Sequence, residues 1–568
     1  MLVRYQNALI YRFDSETVRI EPWGPNALRI RATHEATFPA ENWALSEAPP
    51  EISPAEQNVQ IEEGVKAVVV NGRIMAHVSR GGKLVITDEA RGSRTVLEEF
   101  SRNRVDVTDP KASALKIDAR EFVPRPGADS YRLTARFESL DENEHIYGMG
   151  QYQQPYLNLK GTDIELAQRN SQASIPFALS SLGYGLLWNQ PAVGRAALST
   201  RVLDCWIVAG DTPAGIVRAY ANVVGKPPPM PEYGLGFWQC KLRYQTQDEL
   251  LQVAREHKRR GLPMDVLVVD YFHWPKEGDW RFDPTFWLDE AEPEYSVYDF
   301  DIYRYHLGPN LMVGNIYPFH YAQAFYQGTQ STGQTPIVNL VRCAWVGSQK
   351  YGALLWSGDV ASSWSSFRNQ LSAGLNAGIA GIPWWTTDIG GFHGGNPNDP
   401  AFRELFVRWF QWGAFCPVFR LHGDRLPQQP RLGNSGGSHC LSGAPNEVWS
   451  YGEEVYGICK KYLFLREKMR GYVREVMDEA HRYGDPVMRP LFYGFPEDER
   501  AWEVTDQYLF GRRYLVAPIL AAGQRTRTWV DAEGERVREV LEGGVTTTVD
   551  APLDYMPVFE IVEIELEN

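Results

Sequence analysis

The feature that most narrows the fold is a change of hydrophobic period across a proline cluster, KPPPMPEYG (226–234). Before it, short alternating runs such as VRIEPW, ALRIRAT, KAVVVNGRIMAHVS and KLVITDEA are separated by Gly, Asn, Asp and Pro. Alternation puts every second side chain on one face, so residues 1–230 read as an N-terminal β-sandwich. After the cluster, short apolar runs alternate with helical patterns. Thr246 to Glu249 forms a capping box, Leu250, Leu251, Val253 and Ala254 offer an apolar face, and Gly261 followed by Pro263 stops the helix. Phe367, Leu371 and Leu375 recur every four residues, and Asp399-Pro400 opens a helix carrying Phe402, Leu405, Phe406 and Trp409.

Strand–helix alternation of this kind predicts a (β/α)8-type barrel over 231–484, with a small C-terminal β-domain over 485–568 where YLVAPIL, RTWV and VTTTVD return. Barrel chemistry sits at the carboxyl ends of the strands. Asp270, Asp289, Arg342, Asp359, Asp388 and His422 all fall at or just past predicted strand ends.

A net charge of -14 argues against nucleic acid or an anionic membrane as the main partner. The start, MLVRYQNALIYRF, lacks the long apolar core of a signal peptide, and no run of about 18 apolar residues appears, so a cytoplasmic chain without a membrane span is expected. Six cysteines at 205, 240, 343, 416, 440 and 459 form no CxxC pair, so neither a metal site nor a disulfide framework is expected. Aromatic residues make up 12%, which suits a sugar pocket and equally suits a large core. Several carboxylates at one metal-free barrel mouth suggest glycoside hydrolysis, which uses one carboxyl as acid and another as base or nucleophile.

Particular segments sharpen this. FWLDEAEPE (286–294), LLWSGDVASSW (354–364), RCAWVGSQKYG (342–352), WWTTDIGGF (384–392) and FRLHGDR (419–425), after a sandwich ending in IYGMGQYQQP (146–155), resemble the motifs of glycoside hydrolase family 31. The resemblance implies a retaining exo-α-glycosidase with no metal or organic cofactor. It makes Asp289 the nucleophile, with Glu292 the alternative, and Asp359 the general acid/base. It implies that Arg342 and Trp356 shape the sugar pocket, that Asp388 and His422 bind sugar hydroxyls, and that Asp270 binds another at the wall. Trp384 and Trp385 would divide between pocket and core, and His273 is read as structural. Many family glucosidases carry an acid two residues after the position of Asp270. Here Phe272 stands there, which favours α-xylosides over α-glucosides, since xylose lacks the hydroxymethyl group.

One departure from the family pattern stands out. DWRFDPT (279–285) runs directly into FWLDE, where relatives place a strand, a helix and a loop. The expected strands are then seven: 235–240, 264–270, 286–289, 337–342, 353–357, 383–388 and 417–422. A deletion near 285–286 would leave two sheet edges and impair activity. The readings carried forward are α-xylosidase, α-glucosidase and a non-catalytic carbohydrate-binding remnant, with the oligomeric state open.

Overall fold

A computed structural model describes residues 1–46, 57–62, 66–103, 116–270, 302–434, 439–530 and 546–561. Asp289, Phe272, Glu292, His273 and the expected strand at 286–289 lie outside the described residues.

The N-terminal part is a pair of antiparallel sheets. An eight-stranded sheet runs, in spatial order, Leu2–Tyr5, Ala8–Phe13, Glu16–Pro22, Ala27–Thr33, Leu203–Ala209, Tyr184–Trp188, Ala173–Ser180 and Ile146–Gln151. A five-stranded meander, Gln57–Glu62 to Arg94–Glu98, faces it. Alternation works as the sequence predicts: Val18 and Ile20 point inward and meet Leu28, Val69, Ile74 and Ile86 in one apolar core. The other face of the large sheet is also apolar, and it packs on the barrel. Phe177 stacks on Tyr220 of the helix Pro213–Val224 with ring centroids 3.8 Å apart, and the Tyr220 hydroxyl donates to Ala380 O of the barrel at 3.2 Å. Gly148 N donates to Asn376 Oδ1 at 2.8 Å, and Asn376 Nδ2 to Leu157 O at 3.1 Å.

Six described barrel strands follow: β1 (Phe237–Gln239), β2 (Val266–Leu267), β3 (Asn339–Val341), β4 (Ala353–Trp356), β5 (Trp385–Thr386) and β6 (Phe419–Leu421). They form two parallel sheets in the orders β2-β1-β6 and β3-β4-β5. The sheets meet where Val418 N donates to Trp385 O at 3.1 Å and Thr386 Oγ1 to Val418 O at 2.9 Å. Between β2 and β3 opens a cavity of about 700 Å³, lined by Val266, Val268, Ile337, Val338, Leu340 and Trp356 among others.

The intervening helices are α1 (Gln247–Arg260), α2 (Tyr317–Ser331), α3 (Trp364–Ile379) and α4 (Pro400–Gly413). Thr246 Oγ1 accepts from Glu249 N at 3.1 Å, and the Glu249 carboxylate accepts from Gln245 N at 2.7 Å, one residue before the box predicts. The inward face of α1 differs from the expectation in part: Val253 is buried as expected and His257 is buried with it, whereas Leu251 is 38% exposed. The reason is that α1 meets β1 and Trp449 through aromatic contacts of His257, whose ring lies 4.9 Å from the Trp449 ring in an edge-on contact and 6.2 Å from that of Phe237.

Two long helices, Glu453–Lys468 and Arg470–Tyr483, precede a four-stranded antiparallel sheet and a hairpin, Thr526–Val530 with Thr546–Asp550. Arg466 seals the amino-terminal end of the barrel by donating to the carbonyls of Leu235, Ala414, Cys416 and Pro417. No described helix is long and apolar enough to cross a membrane.

Candidate active site

The described candidates gather at the carboxyl ends of the parallel strands, where each follows its strand by at most three residues. Asp270 lies past β2, Arg342 past β3, Asp359 past β4, Asp388 past β5 and His422 past β6. The strands are short, so the first ionisable residue after each is carried to the mouth, where backbone pairing ends.

Asp270 and His422 face each other, with Nε2 and Oδ2 3.4 Å apart and both side chains under 5% exposed. Burial, helped by Arg420 and Arg425, holds the His422 imidazole well below its ordinary pKa. It is therefore neutral, and can both donate and accept toward a hydroxyl. Asp388 is fully buried and accepts from the Arg420 guanidinium, which lies 5.8 Å over the Trp356 ring. Arg425 fixes the loop carrying Asp388, donating to Gly391 O at 2.7 Å and Ile389 O at 2.8 Å, and to Asn446 Oδ1 at 3.0 Å. Neither arginine was singled out from the sequence. Both stand inside the FRLHGDR motif, which is the signal that could have found them.

Asp359 is the more open acid, its side chain 21% exposed. Its Oδ2 lies 3.4 Å from Arg342 Nη1 and accepts from Asn170 Nδ2 at 2.7 Å, and its backbone N donates to Asn170 Oδ1 at 3.0 Å. Asn170 belongs to the sandwich, and no motif marked it. Gly358 makes the approach possible. It sits at φ 74°, and a Cβ there would lie 2.4 Å from Ser171 N.

Trp356 is 4% exposed, and its carbonyl accepts from Gln151 Nε2 at 3.3 Å. Trp384 and Trp385 are both buried to 1% or less. Trp385 Nε1 donates to Gln151 Oε1 at 2.7 Å. Among the described residues, Cys240, Asp270 and His422 form the set that could hold a metal, their donor atoms lying within 4.8 Å of one another. Burial raises the Cys240 thiol above its ordinary pKa and lowers that of the imidazole.

Comparison with known proteins assigns the frame. The N-terminal galactose mutarotase-like domain of glycosyl hydrolase 31 matches residues 17–195, and the family's C-terminal domain matches 484–560. Its TIM-barrel domain matches in two pieces, 227–294 and 284–475, which share residues 284–294. An uncharacterized family 31 glucosidase, ORF2, of Pseudescherichia vulneris is 46% identical over 535 aligned positions, covering 75% of this chain and 99% of the relative. Three-quarters of 568 residues is about 426, so at about 110 of those positions the relative has a residue and this chain has none. An alpha-xylosidase of Saccharolobus solfataricus is 30% identical, covering 76% of this chain and 71% of the relative. The crystal structure of a GH31 alpha-xylosidase from a soil metagenome, complexed with xylose, superposes with a TM-score of 0.93 at 46% identity, covering 99% of this chain and 98% of that one. All three domain models match in order and these relatives align over most of their length, so the chain belongs to glycosyl hydrolase family 31, a family of glycosidases.

Proposed function

We propose that this chain is a retaining exo-α-glycosidase directed at terminal α-linked xylose, and that its turnover is low for its family. The observation that carries the proposal is the grouping of Asp359 with Arg342, Asp270 with His422, and Asp388 with Arg420 around one barrel mouth. In this reading Asp289 attacks C1 while Asp359 protonates the departing oxygen, and Asp359 then takes a proton from the water that releases the sugar. Arg342 and Trp356 shape the pocket. Asp270, Asp388 and His422 hold sugar hydroxyls, and Phe272 fills the space of a hydroxymethyl group. The xylose bound to the metagenomic relative supports the sugar. The glucosidase name of the Pseudescherichia vulneris relative favours the rival α-glucoside reading.

Low turnover is inferred from the junction near 285–286. Both pieces of the barrel match claim residues 284–294, as a segment joined from two similar stretches would. The cavity between β2 and β3, the described strands on either side of that junction in the chain, supports the reading. A displacement of about 1 Å at a catalytic group can cost roughly 10²-fold in rate.

The test is a paired assay of p-nitrophenyl α-xyloside and α-glucoside, with calorimetry of xylose binding. The xyloside should turn over faster, and a chain carrying the segment that relatives have at this point should gain about 10²-fold in kcat/KM. Faster glucoside turnover overturns the xylose assignment. No gain from the added segment overturns the inference of impairment, and binding without any turnover favours a non-catalytic remnant. Full activity in Asp289→Asn removes the nucleophile assignment.

A further inference from the structure

We propose that Asn170, on a loop of the N-terminal sandwich, is a positioning residue that selects which oxygen of Asp359 carries the acid proton. The inference rests on the reading of Asp359 as acid/base. It starts from the chemistry of a primary amide, which offers donors on one atom and acceptors on the other. Asn170 uses both. Its Nδ2 donates to Asp359 Oδ2 at 2.7 Å, and its Oδ1 accepts from the Asp359 backbone N at 3.0 Å. The carboxyl group and its own backbone are thus clasped at two points, which fixes the side-chain rotamer.

The clasp makes the two carboxyl oxygens unequal. Oδ2 faces the Asn170 amide and, at 3.4 Å, Arg342 Nη1. A proton on Oδ2 would point a hydroxyl at two N–H donors. Oδ1 accepts no hydrogen bond among the described residues, and the side chain keeps 21% of its surface open. The proton therefore resides on Oδ1. In the first step it passes from Oδ1 to the glycosidic oxygen as the C1–O bond breaks and the Asp289 carboxylate bonds to C1. In the second, Oδ1 takes a proton from water as the water oxygen bonds to C1 and the Asp289 ester breaks.

The loop is held as a unit. Gln153 Nε2 donates to Ser171 O at 2.9 Å, and Gln153 Oε1 accepts from Gln370 Nε2 at 2.6 Å. The Cys343 thiol, one residue past Arg342, lies 3.4 and 3.3 Å from the carbonyls of Arg169 and Gln172. Gly358 leaves the gap that admits it, since a Cβ there would stand 2.6 Å from Asn170 Oδ1. These contacts tie the sandwich loop to the segments carrying both Arg342 and Asp359.

Leaving-group dependence separates positioning from mere folding. Full-length chain, Asn170→Ala and Asn170→Asp are assayed on α-xylosyl fluoride, which needs little acid help, and on alkyl α-xylosides, which need it. Both variants should lose about 10²-fold in kcat/KM on the alkyl xylosides and stay within about threefold on the fluoride. Equal losses on both substrates, or none, overturn the proposal. Asp359→Ala serves as control: if it retains the alkyl-xyloside rate, the acid/base reading itself fails. A second readout needs no turnover. With asparagine labelled by nitrogen-15, one side-chain amide should shift with pH in the parent chain, and that shift should vanish in Asp359→Asn. An amide set that does not titrate overturns the clasp. A titrating amide in a chain inert to every xyloside supports the clasp and counts against the activity reading.

Discussion

The two sides of the barrel are built differently. Strands β1, β4, β5 and β6 are buried at every residue, whereas both residues of β2 and two of the three in β3 are only half-buried. Parallel strands are normally covered on both faces, and β2 and β3 are the two that border the cavity. The polar braces lie on the covered side as well: Arg420 on Asp388, Arg425 on the loops around it, and Asn170 on Asp359. The difference teaches that paired charges and hydrogen bonds, in addition to strand pairing, fix the site residues along the β4–β6 arc. Asp270, just past β2, reaches the same site through His422.

The sharpest way to break this comparison is at the buried pair. Arg420→Met keeps an unbranched stem but no charge, and leaves the Asp388 carboxylate, 0% exposed, without its guanidinium. The expected loss is about 3–5 kcal/mol of stability, read from urea unfolding by tryptophan fluorescence. Adding Asp388→Leu should restore much of it, because the cost comes from a stranded buried charge. A single variant that unfolds with the parent would show that the brace contributes nothing.

Packing gives a second, smaller contrast. Leu355, on β4, is 0% exposed, and truncation to Ala should cost about 2–5 kcal/mol. Leu340, on β3, is half-buried beside the cavity, and Leu340→Ala should cost less than about 2 kcal/mol. Equal costs would mean that β3 is packed as firmly as β4, and the open side would lose its meaning.

What could be read from sequence follows the same division. Asp270, Arg342, Asp359, Asp388 and His422 were legible because a short buried run delivers the next ionisable residue to the barrel mouth, a local relation. Asn170 was not legible, since it reaches Asp359 across 189 positions and only the docking of the sandwich brings them together. Gly358 carries no local sign of the loop that needs it. The face of α1 was misread in part, for a related reason. Periodicity favoured Leu250, Leu251, Val253 and Ala254, of which Val253 is buried, and the partner surface offered by Phe237 and Trp449 added His257.

His257 provides the last test, because it shows the helix between β1 and β2 burying a neutral group where the other side buries paired charges. The ring is 1% exposed, and neither nitrogen has a hydrogen-bond partner among the described residues. Burial, with Arg260 adding to it, pushes its pKa down to about 4 from an ordinary 6.5. Between those values the unfolded chain binds a proton there and the folded chain does not, so stability falls as pH drops from 6.5 toward 4. Below about 4 both states are protonated, and this group adds no further change. The full contribution is about 3 kcal/mol, and His257→Leu should flatten the acid side of the stability curve by that amount. The His422 imidazole is shifted in the same direction, so some acid sensitivity should remain in the variant. If proton uptake at His257 loosens α1, hydrogen exchange in Gln247–Arg260 should quicken on acidification before that in Trp364–Ile379. The reverse order, or an unflattened curve in His257→Leu, would place the acid-labile element on the braced side and undo the contrast.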